Sequence, residues 1–97
     1  MKAYILVDVS VTNPDAYEEY KKLTPGSLKP YGGRFIVRGG PVKTMEGNWN
    51  PGRIVVLEFP SYEQAEAWWS SEEYAPAKAL RQSASKTNMI LLNGFEE

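Results

Sequence analysis

The sequence predicts an α+β fold in which strands and helices follow the order β, α, β, β, α, β within a single domain, residues 1–97. Segments rich in β-branched and aromatic residues alternate with amphipathic helical segments, and turn residues stand at the boundaries between them. The length of 97 residues is also usual for one domain.

The first half of the chain contains a strand and a helix. The strand is predicted at residues 3–11, because "AYILVDVSV" is apolar and "NP" then stops it. Asn13 is a good N-cap and Pro14 suits the first helical position, so a helix begins here. The sequence "TPG" at 24–26 predicts a break or kink in this helix. Its apolar stripe is predicted to consist of Ala16, Tyr17, Tyr20 and Leu23.

The second half contains the remaining strands and two jointed helices. Ser61 and Gln64 match a capping box at the start of the first of these helices, and a fresh cap at 70–74 starts the next one. The apolar side of the first is predicted to include Ala65, Trp68 and Trp69. The extended segments are predicted at 34–38, 42–46 (a shorter piece), 53–59 and 88–95, with a hairpin loop at 47–52.

Both faces of the predicted sheet carry apolar residues. In the strand 53–59, Val55 and Leu57 alternate with Ile54 and Val56, so neither face is polar. An antiparallel sheet with one face in water shows a cleaner alternation than this. Because no segment remains to cover the second face, we expect a second copy of the chain to cover it, giving a homodimer with two sheets face to face.

A family resemblance follows from several segments taken together. In chain order they are "YILVDVSVTNPDAYEEY", "YGGRFIVRGGPV", "EGNW", "RIVVLEFPSYEQAEAWWSSEEY" and "ALR" at 79–81. With them the chain resembles, over nearly its whole length, the small bacterial domain-of-unknown-function family 1330. The resemblance implies a ferredoxin-like βαββαβ sandwich that pairs as a dimeric α/β barrel. It implies no catalytic residue, since the family has no settled activity and its wider relatives range from cofactor-free monooxygenases to haem enzymes.

Composition excludes several kinds of chemistry. The balance of 11 basic against 12 acidic residues lacks the basic footprint of a nucleic-acid-binding protein. The chain has no cysteine and no histidine, which excludes thiolate nucleophiles, histidine-based triads and the usual zinc and haem ligands. We therefore expect no metal and no cofactor. The opening "MKAYILVDVSV" is interrupted by Asp8 and too short to span a bilayer, so we expect a cytoplasmic protein without a membrane segment.

The candidate catalytic residues are Asp8, Arg38 and Glu58. The alternation in each strand predicts that all of them lie on the second face, where Glu58 would bridge the other two. One carboxylate would then act as a general base, while Arg38 binds an anionic substrate or stabilises an oxyanion. The alternative is a structural ion network that fixes the sheet register or the dimer geometry.

Further candidates are weaker. Tyr4 is predicted on the second face as a possible proton donor, and Asn93 is predicted to share that face. Arg53 and Arg81 can hold a substrate carboxylate or pair with surface glutamates. Tyr74 can close a pocket or fill the core. Trp49 is expected to pack against a partner subunit or a pocket rim.

Two classes of function follow from these candidates. The first is a cofactor-independent enzyme that acts on a small organic molecule, an anionic one if Arg38 binds it, by acid–base chemistry of carboxylates and arginine. The alternative is a non-catalytic dimer that binds or senses a small ligand. A purely structural dimer would have no accessible cavity.

Overall fold

The protein is described by a computed structural model that covers residues 1–96, so Glu97, the end of the predicted domain 1–97, lies outside the described residues. The elements are β1 (Ala3–Val11), α1 (Pro14–Leu28), a 3-10 turn (Lys29–Tyr31), β2 (Arg34–Arg38), β3 (Arg53–Phe59), α2 (Tyr62–Trp69), α3 (Ala75–Ala84) and β4 (Ser85–Asn93). The predicted element order is confirmed, including the division of the second helical region into two helices.

The strands form one antiparallel sheet in the order β2-β3-β1-β4. This order with this succession of elements is the ferredoxin-like arrangement that the sequence predicts. The helices pack on one face of the sheet, and the core between them is built around Phe59, Trp68 and Tyr74. Within the described residues no helix is long and apolar enough to cross a membrane.

Helix α1 continues through Pro25 to Leu28, so the predicted break at 24–26 is wrong. Pro25 has no N–H group, which leaves the carbonyl oxygen of Lys21 without its partner inside the helix. The guanidinium of Arg38 donates to that oxygen from β2, with Nη2 at 3.1 Å from it. A contact from the sheet thus replaces the missing helical bond. The stripe is also narrower than predicted, because Leu23 is 48% exposed.

The connection from β2 to β3, residues 39–52, contains no strand, so the predicted extended piece at 42–46 forms no strand and the loop is longer than the hairpin loop predicted at 47–52. The carboxylate of Asp8 on β1 holds the end of this connection. It accepts hydrogen bonds from Trp49 Nε1 at 2.9 Å and from the Gly52 amide at 2.8 Å. The connection therefore lies over one end of the sheet instead of extending it.

The sheet has one face without helices, which we call the open face. It remains largely apolar: Val37, Ile90 and Leu92 are 41%, 51% and 44% exposed. The strand registers place on it Tyr4, Leu6 and Asp8 from β1, Arg34 and Val37 from β2, Ile54, Val56 and Glu58 from β3, and Asn88, Ile90 and Leu92 from β4. The prediction that both faces of the sheet are apolar is confirmed.

Candidate functional site

The predicted cluster of Asp8, Arg38 and Glu58 does not form. A β-bulge between Phe35 and Val37 inserts one extra residue into β2, and an extra residue moves those that follow to the opposite face. Arg38 consequently lies opposite Val55 on the helix-covered face, while Glu58 lies on the open face. The predicted shared face is wrong for Arg38.

The two carboxylates are also separated along the sheet. Glu58 lies opposite Tyr4 on β1, and Asp8 lies opposite Ile54, four positions further along. At about 3.4 Å per residue this amounts to roughly 13 Å, so Glu58 cannot bridge Asp8 to another residue. Asp8 instead anchors the β2–β3 connection through Trp49. Trp49 thus contacts the sheet of its own chain.

Glu58 is held by two cations at the end of the sheet. Its Oε1 lies 2.9 Å from Arg34 Nη2 and 3.4 Å from Lys2 Nζ. The hydrogen bond from Arg34, with a smaller contribution from Lys2, lowers the pKa of the Glu58 carboxyl below its ordinary value. Glu58 is therefore an ionised, paired residue and lacks the raised pKa of a tuned general base.

Of the weaker candidates, Tyr4 lies on the open face as predicted, half-buried between Glu58 and Leu92. Asn93 lies opposite Ala3 and so faces the helices, contrary to the prediction. The register of β4 is one residue out of phase with the prediction throughout. Met89 and Leu91, predicted on the second face, also point to the helices.

The structure does bring together Tyr74 and Arg81. Arg81 Nε donates to the hydroxyl of Tyr74 at 3.1 Å, and that hydroxyl lies 3.0 Å from the hydroxyl of Tyr20 on α1. Tyr74 is fully buried and stacks on Trp68 at 3.9 Å between ring centroids. Burial, reinforced by the neighbouring Tyr74, raises the pKa of the Tyr20 hydroxyl well above its ordinary value. Tyr20 therefore stays a neutral phenol, and its hydroxyl supports the Tyr74 hydroxyl that contacts the guanidinium.

Arg81 is unusual because it is a buried charge without a carboxylate. It is 5% exposed, and none of the ion pairs in residues 1–96 involves it. A buried arginine normally forms an ion pair with a carboxylate, because transferring its charge from water to the protein interior costs on the order of several kcal/mol. The predicted pairing of Arg81 with a surface glutamate is wrong, since its hydrogen-bond partner is a phenol.

Arg81 lines a cleft of about 400 Å³ between α2, α3 and β4, which we call the α2–α3–β4 cleft. The walls combine apolar side chains with a few polar ones. The lining residues are Ile5, Ala65, Glu66, Trp69, Arg81, Gln82, Thr87, Met89, Ile90 and Leu91. A concave, mostly apolar site with a few convergent polar groups is typical of small-molecule binding.

Sequence reasoning missed Glu66 and the role of Tyr20, but one signal for Arg81 is present. Ala77, Arg81 and Ala84 are spaced by four and three residues, so Arg81 occupies the buried stripe of α3. A charged residue inside an otherwise apolar stripe indicates a buried, functional or paired cation. No comparable signal identifies Glu66, which lies exposed on α2.

Arg53 is also without a carboxylate partner. Its Nη1 donates to the Tyr17 hydroxyl at 3.1 Å, and its guanidinium carbon lies 5.6 Å from the centroid of the Tyr17 ring. Burial raises the pKa of the Tyr17 hydroxyl. The predicted pairing of Arg53 with surface glutamates is therefore wrong as well. No group of acidic residues able to hold a metal ion is present in the described part of the chain.

The fold is similar to those of several solved structures. An RPA0582 protein of unknown function from Rhodopseudomonas palustris has a TM-score of 0.79 at 17% identity, covering 99% of this chain and 84% of that one. A dimeric ferredoxin-like protein of unknown function from Jannaschia sp. CCS1 has a TM-score of 0.70 at 16% identity, with 97% and 100% covered. SnoaB, a cofactor-independent oxygenase from Streptomyces nogalater, has a TM-score of 0.65 at 12% identity, with 99% and 95% covered. At these identities the likeness shows the fold.

The sequence itself gives the family. No curated protein matches the chain. Residues 2–95 match the family described as domain of unknown function, DUF1330, which is the resemblance that the sequence segments indicate. The match extends from the start of β1 to beyond the end of β4 and includes every element of the sheet. The chain therefore belongs to the DUF1330 family.

Proposed function

We propose that the chain is a homodimer that binds a small organic anion in the α2–α3–β4 cleft, with Arg81 as the partner of the anion. The observation that carries this proposal is the burial of Arg81 without a carboxylate partner among residues 1–96. A ligand carboxylate or enolate would supply the missing negative charge, and a charge-assisted hydrogen bond to it is about twice as strong as a neutral one.

The hydrogen bonds of Arg81 support this orientation of the ligand. Nε is the atom that donates to Tyr74, which leaves the two terminal nitrogens for other partners. No buried side-chain nitrogen or oxygen among residues 1–96 lacks a hydrogen-bond partner. Terminal nitrogens without a partner are therefore not fully buried, and the cleft that Arg81 lines is the route by which a ligand would reach them. Two adjacent N–H groups of a guanidinium fit the two oxygens of a carboxylate.

The walls of the cleft indicate the remainder of the ligand. Trp69, Met89 and Leu91 form an apolar lining around the polar groups. The ring of Trp69 is held in place by Lys78, whose Nζ lies 3.8 Å from the ring centroid and donates to the Trp69 carbonyl oxygen. A planar or aromatic carboxylate matches a site with one cation and an aromatic wall.

Glu66 gives the cleft a base as well as a cation. Its carboxylate lines the same cleft and forms no ion pair with Arg81, so a substrate can stand between them. In the reaction that we propose, Glu66 accepts a proton from a carbon next to a carbonyl group. The electron pair moves onto the carbonyl oxygen, whose negative charge Arg81 stabilises. Return of the proton to the same or another carbon completes an exchange or an isomerisation.

Non-catalytic binding is the second candidate function. Glu66 is exposed, so water solvates its carboxylate and the burial that usually tunes a general base is lacking. In that case Arg81 and the apolar walls recognise the ligand, and Glu66 is a solvated surface residue at the edge of the cleft.

The homodimer rests on the open face. Ile90 and Leu92 are about half exposed on a sheet that no helix covers, and a similar fold from Jannaschia sp. CCS1 is described as dimeric. Two open faces packed across a two-fold axis would remove both from water. The connection 39–52 covers only the end of this face near Asp8, and it leaves Ile90 and Leu92 about half exposed.

Binding is tested with benzoate, a rigid aromatic carboxylate that has no acidic C–H bond. Calorimetric titration should give saturable binding to the wild type and a loss of at least about tenfold in affinity for Arg81→Met, which removes one charge-assisted hydrogen-bonding group. Lys29→Met is the matched control, because it removes an exposed charge of the 3-10 turn, outside the cleft and off the open face, and should bind normally. Equal losses in both variants, or no binding to the wild type, would refute the proposal.

Catalysis is tested with phenylpyruvate, an aromatic 2-oxo acid with an acidic methylene group. The wild type should accelerate exchange of that methylene with D₂O, followed by NMR. Glu66→Gln should abolish the acceleration while leaving the affinity for benzoate unchanged. Binding without any acceleration by the wild type would select the non-catalytic function.

A further inference from the structure

A second group of cations lies outside the α2–α3–β4 cleft, between α1 and the strands β2 and β3. Lys21 on α1, Arg38 at the end of β2 and Arg53 at the start of β3 line one small interior cavity together with Tyr17. We call Lys21, Arg38 and Arg53 the cationic cluster. No residue of the cluster lines the cleft that contains Arg81.

Both arginines of the cluster have only neutral partners. Arg38 donates to the carbonyl oxygen of Lys21 at 3.1 Å, and its guanidinium lies 4.2 Å from the ring centroid of Phe35. Arg53 donates to the Tyr17 hydroxyl at 3.1 Å. Lys21 alone has a carboxylate, at 2.9 Å from Glu18. Neither guanidinium forms an ion pair within residues 1–96, although Glu18, the partner of Lys21, lies within range of the charge of Arg53.

The two arginines are diagonal neighbours on the helix-covered face of the sheet, because Arg38 lies opposite Val55, two residues after Arg53. Gly39 directly follows Arg38 and has φ of 72°, which favours glycine. A Cβ atom at this position would lie 3.0 Å from Arg53 Nε and 3.3 Å from its Nη2. The side chain of Arg53 therefore packs on the backbone next to Arg38. An anion bound between two like charges at such a position would offset their repulsion.

We propose that the cationic cluster is a binding site for a phosphate dianion, free or as a monoester, independent of the organic-anion site at Arg81. Two guanidinium forks match a doubly charged oxyanion in charge and in hydrogen-bond geometry. The cavity behind them is only about 20 Å³, which holds about one water molecule. The phosphate therefore lies at the mouth of the cavity, and any ester group extends into solvent.

The test is an NMR titration of the full chain with inorganic phosphate and, separately, with methyl phosphate in low-chloride buffer. Saturable shifts should map to Lys21, Arg38 and Arg53 and not to α3. Similar affinities for both probes would identify the phosphoryl group as the recognised group. Binding of only one probe would show whether the site takes free phosphate or a phosphate monoester. In the wild type, the absence of saturable shifts with both probes, or shifts centred on Arg81, would overturn the proposal.

Variants sharpen the result. Arg38→Gln and Arg53→Gln should each weaken phosphate binding by about tenfold or more, since each removes one charged fork. Arg34→Gln is the matched control, because Arg34 lies on the same strand as Arg38 but pairs with Glu58 on the open face. An equal loss in Arg34→Gln would show a general charge effect and contradict a built site.

Discussion

Replacing Leu92 by asparagine should weaken the homodimer that we propose. Leu92 lies on the open face and is 44% exposed in the single chain. Complete burial of a leucine side chain contributes about 1.5–3 kcal/mol, so burial of the exposed part contributes roughly 0.7–1.3 kcal/mol. A two-fold interface contains the residue twice, which gives about 1.3–2.6 kcal/mol, or roughly a 10- to 80-fold weaker dimer.

The chain provides a matched control for this substitution. Leu23 on α1 is 48% exposed, almost the same as Leu92, but lies on a helix on the other side of the sheet. Leu23→Asn should therefore leave association unchanged. Sedimentation equilibrium over a range of concentrations measures all three proteins under the same conditions. A wild type that stays monomeric at high micromolar concentration, or equal effects of the two substitutions, would refute the assignment of the open face.

Three further predictions concern stability. Arg34 lowers the folded-state pKa of Glu58, so Glu58→Gln should reduce the free energy of unfolding at neutral pH. Urea unfolding of both proteins should show this difference disappear as the pH falls below about 4, where the wild-type carboxylate becomes protonated. Arg38→Met should lower the free energy of unfolding by up to about 1 kcal/mol in the wild type. The loss should be smaller in a Pro25→Ala background, where the alanine N–H can bond the carbonyl oxygen of Lys21, and a double-mutant cycle measures this coupling. Tyr74→Phe should cost about 1.5–3 kcal/mol in thermal unfolding, because it leaves a buried guanidinium N–H without its partner, and an unchanged melting temperature would contradict that contact.

The element order and the bare apolar face could be predicted because both depend on patterns that local sequence carries. Turn residues and capping signals such as Asn13 and Ser61 mark the element boundaries, and both cap a helix in the structure. The apolar character of Ile54 and Val56 is independent of where a strand begins. Fold class and a surface that needs covering therefore follow from composition and periodicity alone.

The composition of the site could not be predicted, because it depends on register. The extra residue at the bulge of β2 moves Arg38 to the other face, and no local signal in "RFIVR" marks it. In β4 the consecutive apolar residues "MILL" at 89–92 fit either face equally well, so the sequence does not show which of them face the helices. Which side chains meet is therefore decided by pairing between strands.

The continuation of α1 through Pro25 has the same origin. Proline removes a helical hydrogen bond, and local reasoning predicts a kink at this point. The compensating donor is Arg38, thirteen positions further along the chain and on another element. Such a tertiary contact is invisible to any window of sequence around the proline.

Whether Arg81 binds the charge of an organic anion is tested most directly by the terminal guanidinium N–H signals of the four arginines in one ¹⁵N-labelled sample. Addition of benzoate should shift the Arg81 signal and slow the exchange of its protons with water, while the Arg34 signal stays unchanged. A benzoate response confined to Arg38 and Arg53, or spread equally over all arginines, would contradict the claim.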